Sequence, residues 1–338
     1  MRSVPPPEWG GARQYTVSAM LAVHLEDRRV QVRRKPRPRP RPGFALLRLL
    51  AGGICNTDLE LLRGYYGFRG TPGHEFAAEV VEADTGALIG RRVVGEINLA
   101  CGRCEWCQRD LGRHCPNRSV LGIVRHPGAF SEWFTLPERN LHLIPEEIPT
   151  EHAVFIEPLA AACEILDQIA IPRGARVAVL GDGKLGLLVA QVLHAQGAEV
   201  HLFGHHRHKL ALAASAGIET FRATRRPRGA YEWVVEATGA PEGLREAVAM
   251  VRPRGTVVLK STMHTIVPLD TAPVVVNEVT LLGSRCGRFQ PAIELLRSGK
   301  VRVAEMISDR FPLWRASQAF ARAAEPGTLK VLLMPGEL

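Results

Sequence analysis

The sequence predicts an α/β protein in two parts, a β-rich domain first and a doubly wound parallel sheet after it. Three observations point there. Short β-rich runs (TVSAMLAV, FALLRLL, EFAAEVVEA, RRVVGEI, FSEWFTL) fill residues 16 to about 150, separated by Gly, Pro and Asn/Asp clusters. From about residue 174 strands alternate with helices: ARVAVLG, KLGLLVAQVLHAQG, EVHLFG, HKLALAASAG, then YEWVVEATG, PEGLREAVAMVRP, TVVLKST and VTLLGSR. A glycine-rich turn joins the first strand and helix of that second half, and 338 residues at 46% hydrophobic can bury two cores.

Taken in order, residues 1–15 carry three consecutive prolines and no periodicity, and they read as a flexible extension. The basic stretch Arg28 to Arg41 ends in PRPRPRP and reads as an extended, solvated polyproline-type connection. The formal charge of +9 fits a phosphorylated cofactor, a nucleic acid or an arginine-heavy surface. Without interleaved aromatics in the basic stretch, no nucleic-acid partner is expected. No run approaches the roughly 18 apolar residues of a membrane span, and no apolar signal core opens the chain. A cytoplasmic protein without a membrane partner is expected. After about Gly287 the chain is mixed helix and strand and is able to rejoin the first domain.

The dinucleotide site comes from GDGKLG, placed directly after the apolar strand RVAVL and before an amphipathic helix. Gly181, Gly183 and Gly186 have GxGxxG spacing: the first permits the tight turn, the second lets a pyrophosphate approach the backbone, and the third lets helix pack on strand. Lys184 and Leu185 complete the turn, and the helix N-terminus offers free N–H donors. At the end of the second strand an NAD site usually has an acidic residue, whereas this chain has Gly204 followed by His205, His206, Arg207 and Lys209. The missing carboxylate and the nearby cations favour NADP over NAD. Replacing Gly204 by Asp is then expected to move the preference toward NAD.

Two metal constellations follow. Cys101, Cys104, Cys107 and Cys115 have CxxCxxCx7C spacing, which suits a closed structural zinc site, with an iron–sulfur cluster as the competing reading. A second set is scattered: Cys55 in GGICNTDLE, His74 and Glu75 in TPGHEF, and Glu157 in FIEPLAAA. Each alone has an ordinary structural reading. Together, Cys55, His74 and Glu157 leave a zinc one open position for a substrate oxygen. Cys163 and Cys286 stand outside both sets and read as core residues.

In this order, GICNTDLE, GHE, the four-cysteine lobe, IEPL and GDGKLG resemble the zinc-dependent medium-chain alcohol dehydrogenases, and IEPL is closest to the polyol and sugar dehydrogenase branch. The resemblance covers nearly everything after Tyr15. It implies a GroES-like catalytic domain over residues 16–160 and 288–338, with its zinc lobe at about 98–118. It also implies a Rossmann domain over 161–287, two zincs per chain and a homodimer or homotetramer. By motif match Cys55, His74 and Glu157 become ligands of a catalytic zinc, Glu75 a possible exchanging ligand, Thr57 the start of a proton relay and Asp58 a support behind the ligands. Many relatives place His three residues beyond that hydroxyl, where this chain has Glu60, so the proton exit departs from the pattern. Tyr65, Tyr66 and Phe68 line a substrate pocket or pack within their own loop.

The function so read is hydride transfer between NAD(P) and an alcohol or carbonyl of a small molecule: a polyol, a secondary alcohol or a biosynthetic intermediate. An NADPH-dependent reductase of a C=N or C=C bond is the alternative enzyme. A nucleotide-binding protein without turnover is the alternative from another class.

Overall fold

The computed structural model describes residues 19–224, 227–262 and 266–336, so the expected extension at 1–15 lies outside the described residues. The first half is built on a seven-stranded sheet. Its path runs Leu141–Leu143, Arg92–Gly95, Glu75–Glu82, Phe44–Ile54, Lys330–Met334 and Ile307–Pro312, and Trp133–Pro137 also pairs with Phe44–Ile54. The strand Phe44–Ile54 is buried along most of its length, as its near-continuous apolar sequence dictates. It is met on one side by Glu75–Glu82 and on the other by Lys330–Met334, so the last strand of the chain closes onto an early one.

The second half holds six parallel strands in the spatial order Glu219–Arg222, Glu199–Gly204, Arg176–Leu180, Tyr231–Glu236, Val251–Leu259 and Thr280–Gly283. The order reverses between Arg176–Leu180 and Tyr231–Glu236. Ligands of such sheets bind outside the carboxyl ends of the strands at that switch point, which is where the GDGKLG turn emerges.

The two halves share apolar packing. One buried cluster includes Ala51, Ala77 and Val94 of the first sheet together with Val177 and Val235 of the second and Leu188 of the helix Lys184–Ala195. The helix Ile156–Gln168 packs against the helices Lys184–Ala195 and Phe289–Arg297. Lys260, at the end of the strand Val251–Leu259, pins the same seam: its ammonium donates to Ala161 O at 2.6 Å, Arg285 O at 3.0 Å and Ser284 Oγ at 3.1 Å.

One expectation is corrected here. Within Arg28 to Arg41, residues Arg29–Pro36 form a strand paired antiparallel with Ala19–Glu26. Val30 and Val32 alternate with polar residues and pack against an apolar cluster, a period-2 signal that the arginines obscure. The arginines are engaged within the chain: Arg33 pairs with Glu26, Arg37 with Glu82 at 3.1 Å, and Arg41 stacks on Phe44 at 4.0 Å. No helix among the described residues is long and apolar enough to cross a membrane.

Candidate active site

Cys55 follows the strand Phe44–Ile54 and caps the helix Asn56–Arg63 with an extended backbone (φ −99°, ψ 163°). Its N–H donates to Asp58 Oδ2 at 2.9 Å, a reciprocal cap. Asp58 is fully buried; its Oδ1 accepts from the Gly73 N–H at 3.2 Å and lies 3.4 Å from His74 Nδ1. One carboxylate thereby orients the two loops that carry Cys55 and His74.

The donor atoms of Cys55, His74 and Glu75 lie within 4.8 Å of one another. His74 Nδ1 is buried with no hydrogen-bond partner, because its approach to Asp58 lacks hydrogen-bond geometry. Burial opposes a charged ring, but Asp58 and then Cys55 outweigh it and hold His74 well above its usual range. A thiolate, an imidazole and a carboxylate suit zinc, and a buried ring nitrogen without a hydrogen-bond partner fits a site that lacks its ligand.

Glu157, on the first turn of the helix Ile156–Gln168, lies outside that triangle. Burial pushes its carboxyl up to about 7, with His74 pulling against the rise and Glu75 adding to it. It accepts no hydrogen bond from a described residue. Glu75, by contrast, is 1% exposed and ion-paired with Lys330, the first residue of the strand Lys330–Met334. Lys330 is also 5.5 Å from the centre of the Phe155 ring. Sequence reasoning missed Lys330, whose signal was a lysine opening the otherwise apolar run KVLLM.

Around this cluster Thr57 is half-buried, its Oγ1 3.9 Å from Cys55 Sγ. Glu60 is engaged by Arg63 at 2.5 Å. Tyr65 and Tyr66 contact each other at 4.0 Å between ring centres, and Tyr66 is 65% exposed. Phe68 is partly buried against the first domain's core. Cys163 is a core residue, pushed up to about 12 by burial, whereas Cys286 lies where the charge of Glu157 reaches it.

The four lobe cysteines converge between the strands Asn98–Leu99 and Ser119–Leu121. Sulfur separations are 3.5 Å for Cys104 to Cys107, 3.6 Å for Cys104 to Cys115 and 3.9 Å for Cys101 to Cys107. A tetrahedron with zinc–sulfur bonds of about 2.3 Å has edges of about 3.8 Å, so the cage fits zinc. The Arg103 and Cys104 N–H groups bring the Cys101 thiol down to about 6, which leaves it ready as a thiolate.

The dinucleotide turn has the expected form. Gly181 takes φ +110°, and a Cβ on Gly186 would collide with the Gly181 carbonyl oxygen. A Cβ on Gly183 would meet nothing, so the turn keeps open space where a pyrophosphate approaches, and no side chain caps the helix Lys184–Ala195. Leu185 packs against the core. Burial lowers the Lys184 ammonium to about 8, as does the charge of Lys330, while the charges of Cys55, Glu75 and Asp58 act the other way.

At the far end of the strand Glu199–Gly204, His205 and Arg207 are exposed and His206 half-buried. Lys209 is 6% exposed, and burial lowers its pKa against the opposing charge of Asp182. Arg222, paired with Gly204 in the parallel register, supplies a rim cation that the sequence reading missed, and it donates to the His205 carbonyl.

With this geometry in view, residues 41–146 match the alcohol dehydrogenase GroES-like domain and residues 185–298 the zinc-binding dehydrogenase family. D-altritol 5-dehydrogenase of Agrobacterium fabrum is 30% identical over 91% of this chain and 97% of its own length. D-arabitol-phosphate dehydrogenase of Enterococcus avium is 28% identical over 85% of this chain and 89% of its own. A solved protein from Sinorhizobium meliloti, described as a zinc-binding dehydrogenase bound to NADP, superposes with TM-score 0.87 at 31% identity, covering 94% of this chain and 100% of that one. The chain belongs to the zinc-dependent medium-chain alcohol dehydrogenase superfamily, in its polyol-dehydrogenase-like branch. It is an NAD(P)-dependent alcohol oxidoreductase of that family.

Proposed function

We propose that this oxidoreductase interconverts a polyol hydroxyl and the corresponding carbonyl with NADP, at a zinc held by Cys55, His74 and Glu157. One observation carries the reading. The helix Ile156–Gln168, which carries Glu157, packs both on the dinucleotide helix Lys184–Ala195 and on the strand Glu75–Glu82, so cofactor turn and donor cluster adjoin one another. Glu157 is preferred to Glu75 as the third ligand because Glu75 is already neutralised by Lys330, whereas Glu157 is a half-buried carboxyl group with no ion pair among the described residues. Glu75 remains the exchanging candidate beside His74.

A zinc held there would supply Lewis acidity to a substrate hydroxyl and a nicotinamide would supply the hydride acceptor. Thr57, with its Oγ1 beside Cys55, would take the proton that the hydroxyl loses. Asp58 holds the Cys55 and His74 loops at fixed spacing, and Lys330 gives buried Glu75 a counter-charge. Glu60 serves its pair with Arg63. The lobe of Cys101, Cys104, Cys107 and Cys115 holds a second zinc with no open position and therefore a structural task.

NADP is favoured by Gly204 at the strand end and by the rim of His205, Arg207 and Arg222; the related Sinorhizobium meliloti structure contains NADP. A polyol or sugar-derived alcohol is favoured by the names of the relatives above. A homo-oligomer is supported by the unpaired outer edge of the strand Thr280–Gly283, beside exposed Val275 (73%) and Val276 (78%). Seven free thiols suit a reducing cytoplasm.

The test is metal content per chain in protein purified without chelator, combined with polyol oxidation under NADP and under NAD. Two zincs falling to one in Cys55→Ala, with polyol-dependent NADPH formation lost in the variant, is the expected result. A single zinc unchanged by Cys55→Ala would leave only the lobe occupied and would remove the catalytic-zinc reading.

A further inference from the structure

Gly204 is glycine for a reason that its own strand does not reveal. Asp182, the second residue of the GDGKLG turn, folds beneath the end of the strand Glu199–Gly204. Its Oδ2 accepts from the backbone N–H groups of His205 at 2.8 Å and His206 at 2.6 Å, and its Oδ1 lies 3.0 Å from His206 Nδ1. The Asp182 side chain is 8% exposed. A Cβ at position 204 would stand 2.5 Å from Asp182 Oδ2 and 2.6 Å from its Cβ. Asp182 and any side chain at 204 therefore exclude each other.

We infer that Asp182 is a positioning residue for cofactor selectivity: it occupies the place of a strand-end carboxylate and spends its charge on the protein's own donors. A free carboxylate at this point accepts a ribose hydroxyl and repels a phosphate. Here Oδ2 is saturated by two N–H groups and Oδ1 faces an imidazole, so the same carboxylate no longer presents itself to a ribose. Burial works against its ionisation, yet the His206 N–H and ring more than compensate and keep its pKa low. Pinned this way, the turn leaves His205 and Arg207 exposed, next to Arg222, which is itself anchored on the His205 carbonyl. If so, Gly204→Asp by itself does not move the preference toward NAD, because its Cβ would meet the Asp182 side chain.

The inference rests on the reading of the chain as NADP-dependent, and the experiment separates the two. Equilibrium binding of 2′,5′-ADP and of 5′-AMP is measured on the full-length, zinc-loaded protein and on Asp182→Ala, Asp182→Asn, Gly204→Asp and the double variant Asp182→Ala/Gly204→Asp. The expected result is a preference for 2′,5′-ADP that falls about tenfold in Asp182→Ala, the scale of a lost charge-assisted hydrogen bond. Asp182→Asn should fall less, and the double variant should prefer 5′-AMP. Gly204→Asp alone should weaken both ligands. Should Asp182→Ala fail to fold, Asp182→Asn and the double variant carry the same comparison. Equal weakening of both ligands in the Asp182 variants, or an unchanged or larger ratio, overturns the inference and reduces Asp182 to a structural residue. A wild-type protein without preference for 2′,5′-ADP overturns the NADP reading, while a ratio that still moves with Asp182 preserves the positioning role.

Discussion

The two zinc-type centres are built in opposite ways. The lobe draws four sulfurs from Cys101 to Cys115, one short stretch of chain, and closes them into a cage with edges of 3.5 to 3.9 Å. The other centre draws Cys55 from a helix cap, His74 and Glu75 from the start of a strand, Glu157 from a helix in the seam, and Lys330 from the last strand. A local cage can organise itself around its ion, whereas a dispersed centre depends on the finished fold to hold its donors. On the proposed reading the first serves stability and the second chemistry.

The sharpest way to break that contrast is a pair of ligand variants. Cys55→Ala should lower polyol oxidation by about 100-fold or more while moving the thermal midpoint little. Cys104→Ser should instead abolish metal retention in the lobe and lower the midpoint, seen by calorimetry alongside zinc content. If Cys104→Ser left the midpoint untouched, the lobe would not be structural.

Next in size is the buried pair. Lys330→Met leaves Glu75 as an unpaired buried carboxylate and should cost about 3 to 5 kcal/mol in chemical denaturation, with Lys330→Met/Glu75→Gln recovering much of the loss. A double variant no better than the single one would show that the pair is not coupled. Smaller again is Gly53→Ala. Its Cβ would stand 2.5 Å from Val154 Cγ1 and 3.0 Å from Glu75 Oε2, so about 1 to 3 kcal/mol of stability should be lost, together with part of the activity.

The smallest effect lies away from both centres. Arg310 clamps Glu151 through two bonds of 2.6 and 2.7 Å and lowers its pKa. The stability this pair adds is fully present above the unfolded carboxylate value of about 4.3 and is lost as pH falls through the lower folded value. Exposed as the pair is, Glu151→Gln should cost about 0.5 kcal/mol at neutral pH and flatten the acid limb of stability against pH.

What could be read in advance follows the same division. The lobe and the GDGKLG turn lie within single short segments, so spacing alone exposes them. Cys55, His74 and Glu157 were legible because each sits in a recognisable local pattern, although the pattern could not tell that Glu75 and not Glu157 completes the tight triangle. Lys330 and Arg222 become visible only once distant strands pair. The Asp182 clasp spans 23 and 24 residues and turns an apparent absence of charge into a carboxylate already in use. That Lys209 lies on the buried side of its helix shows only once the helix is placed.

The Glu75 to Lys330 pair joins residues 255 apart in sequence, and the strand bearing Lys330 ends at Met334, near the last described residue. During synthesis from the N-terminus, Cys55, His74 and Glu75 leave the ribosome long before that lysine does. The early loops wait, with a carboxylate lacking its counter-charge and a central strand lacking its neighbour. A chain cut anywhere between Cys115 and Lys330 would hold all four lobe cysteines yet lack the counter-charge of Glu75.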